Sequence, residues 1–433
     1  MHHIAKVAIE GFWETHSIDL RLFPEVTFLI GPNGTGKTTL INLLAAALTA
    51  DFRTLDQIPF KKMTIHLTPA DDPEAPRITV GKVKRADRPF EFIEYRLKQG
   101  GKGAPETKYS LEDIEEQVLV RRYAGDPRRL REYYFRTSSG LLKELQKLVQ
   151  VNWLSVHRTP SIEQPSGDRS FDSSVDQRLE TLSNGLVRYL SELSKQKDNE
   201  VQSFQESVFV SLVEQQASVD MFDTTSLTQI DEFHHALTSI FGELHVPKAH
   251  TQTLLSSFVE RAETVKRDIA SQGSERSGGM SVDDAIVLLN LRRIGNVVDR
   301  WKKLQERLAY VFSPRDKWQT IANELFQRKQ MKLTASNELQ FESRTGKLLT
   351  TAMLSSGEKQ LLILLTETLL QRGQPAVFIA DEPELSLHVL WQEKLIGSLR
   401  ALNPAAQIIV ATHSPDIVGP LSDRAIDMET LIP

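Results

Sequence analysis

Four short stretches of this 433-residue chain hold residue types suited to phosphate chemistry. The first, Gly31-Pro-Asn-Gly-Thr-Gly36-Lys37-Thr38, matches G-x-x-x-x-G-K-[ST]. In such a loop Gly31, Asn33, Gly34 and Gly36 let backbone N–H groups curl around a polyphosphate, with Thr39 just behind them. Lys37 supplies a point charge for the β and γ phosphates, and the Thr38 hydroxyl can sit on Mg²⁺. The second stretch is the carboxylate pair Asp381-Glu382. Beside a magnesium polyphosphate, Asp381 would hold the ion and Glu382 would polarise the attacking water; the same pair also reads as a solvated turn. The third, Leu354-Ser-Ser-Gly-Glu-Lys-Gln360, can present the Ser355 hydroxyl and the Gly357 backbone to an anion at a helix start. Ser355 with Glu358 also fits a capping box, and the two readings are compatible. The fourth is Thr412-His413-Ser414-Pro415, where His413 is placed to contact a γ-phosphate.

Each group needs an element to carry it. Val26–Ile30 is β-branched or aromatic at four of five positions, which suits a buried strand running into the loop. Leu40, Ile41, Leu43, Leu44 and Leu48 then fall on one side of a helix whose N-terminus faces the phosphates. Ala376–Ala380 is a buried strand delivering Asp381 and Glu382, Leu361–Leu370 a helix following Ser355, and Gln407–Ala411 a strand ending at His413.

Composition bounds the rest. An apolar fraction of 40% is that of a globular protein, and the absence of cysteine excludes disulfides, thiolate catalysis and cysteine-bound zinc. No apolar run reaches a membrane-spanning length, and Met1–Gly11 lacks a hydrophobic signal core, so a cytoplasmic protein without a membrane partner is expected. A formal charge of −5 argues against a globally basic nucleic-acid binder. Arg121, Arg122, Arg128, Arg129 and Arg131 still form a local cluster, read either as a phosphate-binding patch or as a solvated surface.

The periodicity predicts three segments. Residues 1–159 carry strands at Ile4–Ile9, Ser17–Leu22, Lys62–Thr68, Arg77–Lys84 and Phe90–Lys98, the last three an antiparallel meander closed by Gln99–Gly103. Helices follow at Ser110–Tyr123 and Gly140–Gln150. Residues 160–330 are helical, with apolar stripes through Leu179, Leu186 and Leu193 and through Leu288, Leu291, Val298 and Trp301, separated by the linker Ser271–Met280. A helix of about 35 residues spans only about 50 Å, so this is a stubby projection whose stripes read as core packing. Residues 331–433 return to strands and complete the nucleotide-binding domain.

Together, the P-loop Gly31–Thr38, the signature Leu354–Gln360, the acidic strand Val377–Glu382 and the switch residue His413 resemble an ABC-type ATPase head of the RecF, SMC and OLD-like group. The resemblance implies an α/β fold: a mixed sheet plus an antiparallel β meander, interrupted by a helical or short coiled-coil insertion. It implies ATP and Mg²⁺ as ligands, and a head-to-head dimer in which Lys37, Thr38, Asp381 and Glu382 act in cis while Ser355 and Gly357 reach the opposite head's γ-phosphate. It also implies a glutamine-loop residue on the metal side, for which Gln150, just before the strand-like run Val151–Val156, is the candidate, with Arg158 after it facing nucleotide. Transporter heads place the signature much nearer the P-loop. RecF or SMC-type repair and chromosome proteins, the alternative function, use a long coiled coil or a cysteine hook. OLD nucleases continue into a TOPRIM domain, for which the residues after His413 are too few, so a nuclease is expected in trans. The chain is most similar to the ATPase subunit of PARIS-type anti-phage systems, with Septu-type systems also open. That likeness implies a higher homo-oligomer such as a hexamer, a TOPRIM effector (or else an HNH one), and a phage-encoded trigger, with DNA compatible but not required.

Overall fold

A computed structural model describes residues 1–69, 72, 74–84, 91–101, 103–110, 140–155, 174–213, 225–243, 246–271 and 281–432. The arginine cluster, Arg158 and most of the expected helix 110–123 lie outside these residues. The strands are β1 (Ile4–Phe12), β2 (His16–Arg21), β3 (Val26–Ile30), β4 (Lys62–Leu67), β5 (Arg77–Lys84), β6 (Glu91–Lys98), β7 (Glu106–Ser110), β8 (Val151–Ser155), β9 (Lys329–Leu333), β10 (Leu339–Ser343), β11 (Leu348–Leu349), β12 (Ala376–Asp381), β13 (Ala406–Ala411) and β14 (Ala425–Asp427). The helices are α1 (Lys37–Thr49), α2 (Phe52–Gln57), α3 (140–148), α4 (Ser174–Val213), α5 (Ile230–Glu243), α6 (Lys248–Ser271), α7 (Val282–Leu325), α8 (Ser356–Leu370), α9 (Val389–Leu402), α10 (Pro415–Val418) and α11 (Met428–Leu431). Contacts divide the chain into two units, one of Met1–Val187 with Arg315–Pro433 and one of Arg188–Pro314.

The first unit holds three sheets. A parallel sheet runs β14-β3-β13-β12-β8, an antiparallel sheet runs β2-β1-β4-β5-β6-β7, and β11-β10-β9 form a small antiparallel sheet of their own. Its α/β class is the one the motifs imply. The central parallel strands are covered on both faces, with Ala376–Ala380 and Ala406–Ala411 buried at every position; the one polar side chain among these, Gln407, accepts from the Ile4 N–H at 2.7 Å and donates to the Ile4 carbonyl at 2.7 Å. In β1 burial mostly alternates, as in a strand with one face on a core.

Between the two large sheets lies α1. Leu40, Leu43 and Leu44 share one apolar core with Val7, Ile65 and Val80 of the antiparallel sheet and with Leu29, Val377 and Ile409 of the parallel one. The leucine spacing suggested a one-sided helix, but Ala45, Ala46 and Ala47 are buried as well. Small residues let the antiparallel sheet approach that side, and Tyr95 donates its hydroxyl to the Ala47 carbonyl at 3.0 Å. A helix buried this fully holds its N-terminal end, and therefore the P-loop, rigidly.

Two further details differ from expectation. The meander gains β7, which pairs antiparallel with β6 beyond the Gln99–Gly103 turn, so Ser110 ends a strand and does not start a helix. The strands of residues 329–349 build their own sheet and extend neither large one.

In the second unit the stripe through Leu288, Leu291, Val298 and Trp301 is a packing face. Phe233, Val265, Leu288, Leu291 and Val298 make one core, and Phe204, Ile240, Trp301 and Leu304 another. Phe204 meets Trp301 edge to face at 5.5 Å.

Candidate nucleotide and magnesium site

The parallel sheet brings the separated motifs to one edge. In register, Asp381 of β12 pairs with Ala411 of β13, and Ala411 pairs with Leu29 of β3. The C-terminal ends of these strands therefore deliver the Asp381-Glu382 pair, the Thr412-His413-Ser414 turn and the P-loop side by side, the usual location of a ligand crevice in an open α/β sheet.

The P-loop turns from β3 into α1 through Gly36, whose φ of 89° is left-handed. A Cβ at this position would stand 2.9 Å from the Trp13 ring, so both conformation and space exclude other residues. Asn33 and Gly34 are exposed, and Thr39 is half-buried behind them. Lys37, only 4% exposed, donates from Nζ to the Gly31 carbonyl at 2.6 Å and the Pro32 carbonyl at 2.8 Å. Burial pushes its amine below the ordinary lysine range, against the pull of Glu382, Asp381 and Asp427. A desolvated ammonium beside these acids can take a phosphate as a further anion.

Thr38 Oγ1 donates to Asp381 Oδ1 at 3.1 Å. Two oxygens this close can share one small hard cation, and Mg²⁺ takes one or two protein oxygens with the remainder from phosphate and water. The residues present therefore fit the ion. Glu382 has a left-handed φ of 47°, and its N–H donates to the Ala411 carbonyl at 2.8 Å. This turns its carboxylate toward His413, whose Nε2 lies 3.5 Å from Glu382 Oε1.

Ser355 is the N-cap of α8 in a complete capping box: Ser355 Oγ accepts from the Glu358 N–H at 3.3 Å, and Glu358 Oε2 accepts from the Ser355 N–H at 2.7 Å. Burial pushes the Glu358 carboxyl up, but its bonds to Lys329 and Ser355 outweigh this and hold it below the ordinary value. Among the described residues no hydrogen bond joins Ser355, Gly357 or Glu358 to the P-loop of the same chain. Gly357 has a further role that the spacing did not reveal. A Cβ there would stand 2.2 Å from the Ser386 carbonyl oxygen, so the signature helix packs backbone to backbone on the loop after Glu382. Gly357→Ala is expected to lower stability by about 2 kcal/mol or more, the scale of overpacking, measured by thermal unfolding. An unchanged melting temperature with lost ATP hydrolysis would instead make the glycine purely a phosphate contact.

Gln150 does not join the site. Its carbonyl accepts from the Val377 N–H at 2.7 Å, at the N-terminal end of β8, while the register sets Ser155 opposite Asp381. Four strand residues at about 3.3 Å each separate it from that edge, so it cannot reach an ion at Thr38 and Asp381. It lines a cavity with Asn152, Arg178 and Glu367 instead. The resemblance asks for a glutamine beside this strand, but Gln150 stands at the end away from the phosphates.

Three contributors escaped the sequence reading. Asp427 ends β14 opposite Ile30, with Oδ1 3.3 Å from where a Cβ on Gly31 would stand. Gln360 donates to the Pro383 carbonyl at 2.9 Å, tying the signature helix to the acidic loop. Glu384 is buried beside Thr412 and His413. Only Glu384 left a signal, as a second glutamate in Asp-Glu-Pro-Glu.

The fold resembles solved structures of SMC heads: one from Pyrococcus furiosus with an extended coiled coil, bound to the C-terminal domain of ScpA (12% identity, 99% of this chain and 93% of that chain, TM-score 0.36). Others are a Pyrococcus yayanosii Smc head with a coiled coil and joint (14%, 99% and 95%, 0.35) and the SMC head domain from Thermotoga maritima (12%, 98% and 92%, 0.32). A family model matches residues 26–419, from the first residue of β3 to just past α10, and the chain belongs to that family, described as "AAA domain, putative AbiEii toxin, Type IV TA system".

Proposed function

We propose that the chain is an ATP-binding and Mg²⁺-dependent ATP-hydrolysing subunit whose nucleotide site is completed by a second copy of itself. In this reading Lys37 and the P-loop amides hold the β and γ phosphates, and Thr38 and Asp381 hold the ion, which neutralises phosphate charge when bound. Glu382 takes the proton of the attacking water, and His413 touches the γ-phosphate. The observation that carries the reading is the exposed Ser355 cap. It is built like an anion site yet has no bond to its own P-loop, while the Thr38–Asp381 pair is already assembled in cis. Exposed Met353, Val389 and Leu390, near the signature and the loop after Glu382, supply apolar surface for a head-to-head contact. Residues 1–159 and 331–433 are then the two halves of one head, and 160–330 the insertion.

The finer role is sensor and scaffold of a cytoplasmic anti-phage complex that restrains a nuclease effector in trans, as the likeness to PARIS-type systems implies. The family's description, a toxin of a toxin–antitoxin system, supports a two-component arrangement. Ser355→Arg tests the composite site: ATP binding is expected to stay intact while hydrolysis falls to background. An unchanged rate would mean that heads do not sandwich nucleotide. Co-expression with the neighbouring gene, followed by purification and mass measurement, tests the partner. A stable complex with a TOPRIM or HNH protein supports defence, whereas isolation with DNA and no protein partner would favour the RecF or SMC-type alternative.

A further inference from the structure

Glu384 lies two residues past the candidate base and is only 8% exposed. Its Oε1 accepts three bonds: from Thr412 Oγ1 at 2.5 Å, from the His413 N–H at 3.0 Å and from the Ser414 N–H at 3.3 Å. Thr412 is fully buried, and its hydroxyl oxygen also accepts from the Ser414 N–H at 2.9 Å. The turn from β13 to α10 is thus wound around one carboxylate oxygen. Ser414 extends the arrangement, donating its hydroxyl to Gln392 Oε1 at 2.7 Å while Gln392 donates to the Leu387 carbonyl at 2.9 Å. The acidic loop and the switch turn are therefore tied at two levels, by the Glu382 N–H to the Ala411 carbonyl and by Glu384 to Thr412, His413 and Ser414.

We propose that Glu384 is a positioning residue for hydrolysis: by gripping the backbone of His413 it sets the distance between the imidazole and Glu382, and it transmits to the switch turn any shift of the loop on which the signature helix rests. The proposal rests on the ATPase reading above. A carboxylate accepting backbone N–H bonds is a strong, directional anchor, and removing it leaves two donors of the turn without their acceptor. Among the described residues, the His413 ring, 36% exposed, has only its contact with Glu382 to orient it once the backbone is released. The loop side of the link is equally tight, because Gly357 abuts Ser386 and Gln360 holds the Pro383 carbonyl.

The test uses the full chain with single and paired substitutions. Glu384→Ala is expected to lower kcat about thirtyfold, within the range for slight misplacement of a reacting group, and to change KM less than about threefold. Glu384→Gln keeps an oxygen that can accept the same three bonds and is expected to restore kcat to within about fivefold of the parent. In a His413→Ala background, adding Glu384→Ala should cost less than about twofold more, since a residue that acts through another is not additive with it. Thr412→Val, which removes the hydroxyl alone, should fall between Gln and Ala, and serves if Glu384→Ala does not fold. Fully multiplicative losses in the paired variant, or a Gln variant as slow as Ala, would overturn the proposal in favour of plain packing. A readout that needs no turnover is the NMR signal of labelled His413, identified by its loss in His413→Ala. The signal should move in Glu384→Ala and stay in place in Glu384→Gln, and no movement in Glu384→Ala would also overturn the proposal. Absence of ATP hydrolysis in the parent protein would instead count against the ATPase reading alone.

Discussion

Glu382→Gln is expected to bind ATP normally and to hydrolyse it at least about a hundredfold more slowly, the scale of a lost general base. The substitution keeps side-chain length and the hydrogen bond from its own N–H to the Ala411 carbonyl, and removes only the ability to take a proton. It also leaves the left-handed backbone at 382 as it is, because glutamine has the same Cβ as glutamate and the same cost at a φ of 47°. Melting temperature should therefore stay put while single-turnover rates collapse. Turnover near the parent rate would remove Glu382 from the role of base and leave Asp381 with the ion as the acidic half of the site.

Lys37→Ala should abolish nucleotide binding, read as the loss of a saturable signal with a fluorescent ATP analogue. Without nucleotide the amine is spent on the Gly31 and Pro32 carbonyls. On a bound nucleotide it would instead bond phosphate oxygens, and two such charge-assisted bonds at about 1.5–3 kcal/mol each correspond to at least about a hundredfold in affinity. The folded protein itself loses little, because the buried amine is desolvated, as its lowered pKa reflects. Intact binding in the alanine variant would mean that the loop amides alone hold the phosphates.

The motifs were legible because each combines a local spacing with a strand or helix of the right period. The P-loop, the acidic strand and the switch strand sit where the pattern put them because buried parallel strands are mostly apolar and β-branched and so announce themselves. What escaped depends on partners distant in the chain. Gln150 precedes the right strand, but only the register of β8 against β12 tells which end faces the phosphates. Glu384 looks like any acidic residue until Thr412 and Ser414 come beside it, and Asp427 matters only through the pairing of β14 with β3. Gly357 was assigned to an anion, whereas its lack of a side chain is also demanded by the Ser386 carbonyl. The alanines of α1 were passed over because hydrophobicity of small residues is weak evidence of burial until a second sheet is seen to cover them.

The strand order has a consequence for biosynthesis. β3 lies between β13 and β14, so the strand that feeds the P-loop has both its neighbours near residues 406–427. On a ribosome its segment emerges early and waits until residues 406–427 have been made before either edge can be covered. Pairings this distant in sequence close slowly and leave an apolar strand exposed meanwhile. A chain that stops short of β13 and β14 should thus carry no competent nucleotide pocket, which ties ATP binding to the synthesis of those two strands.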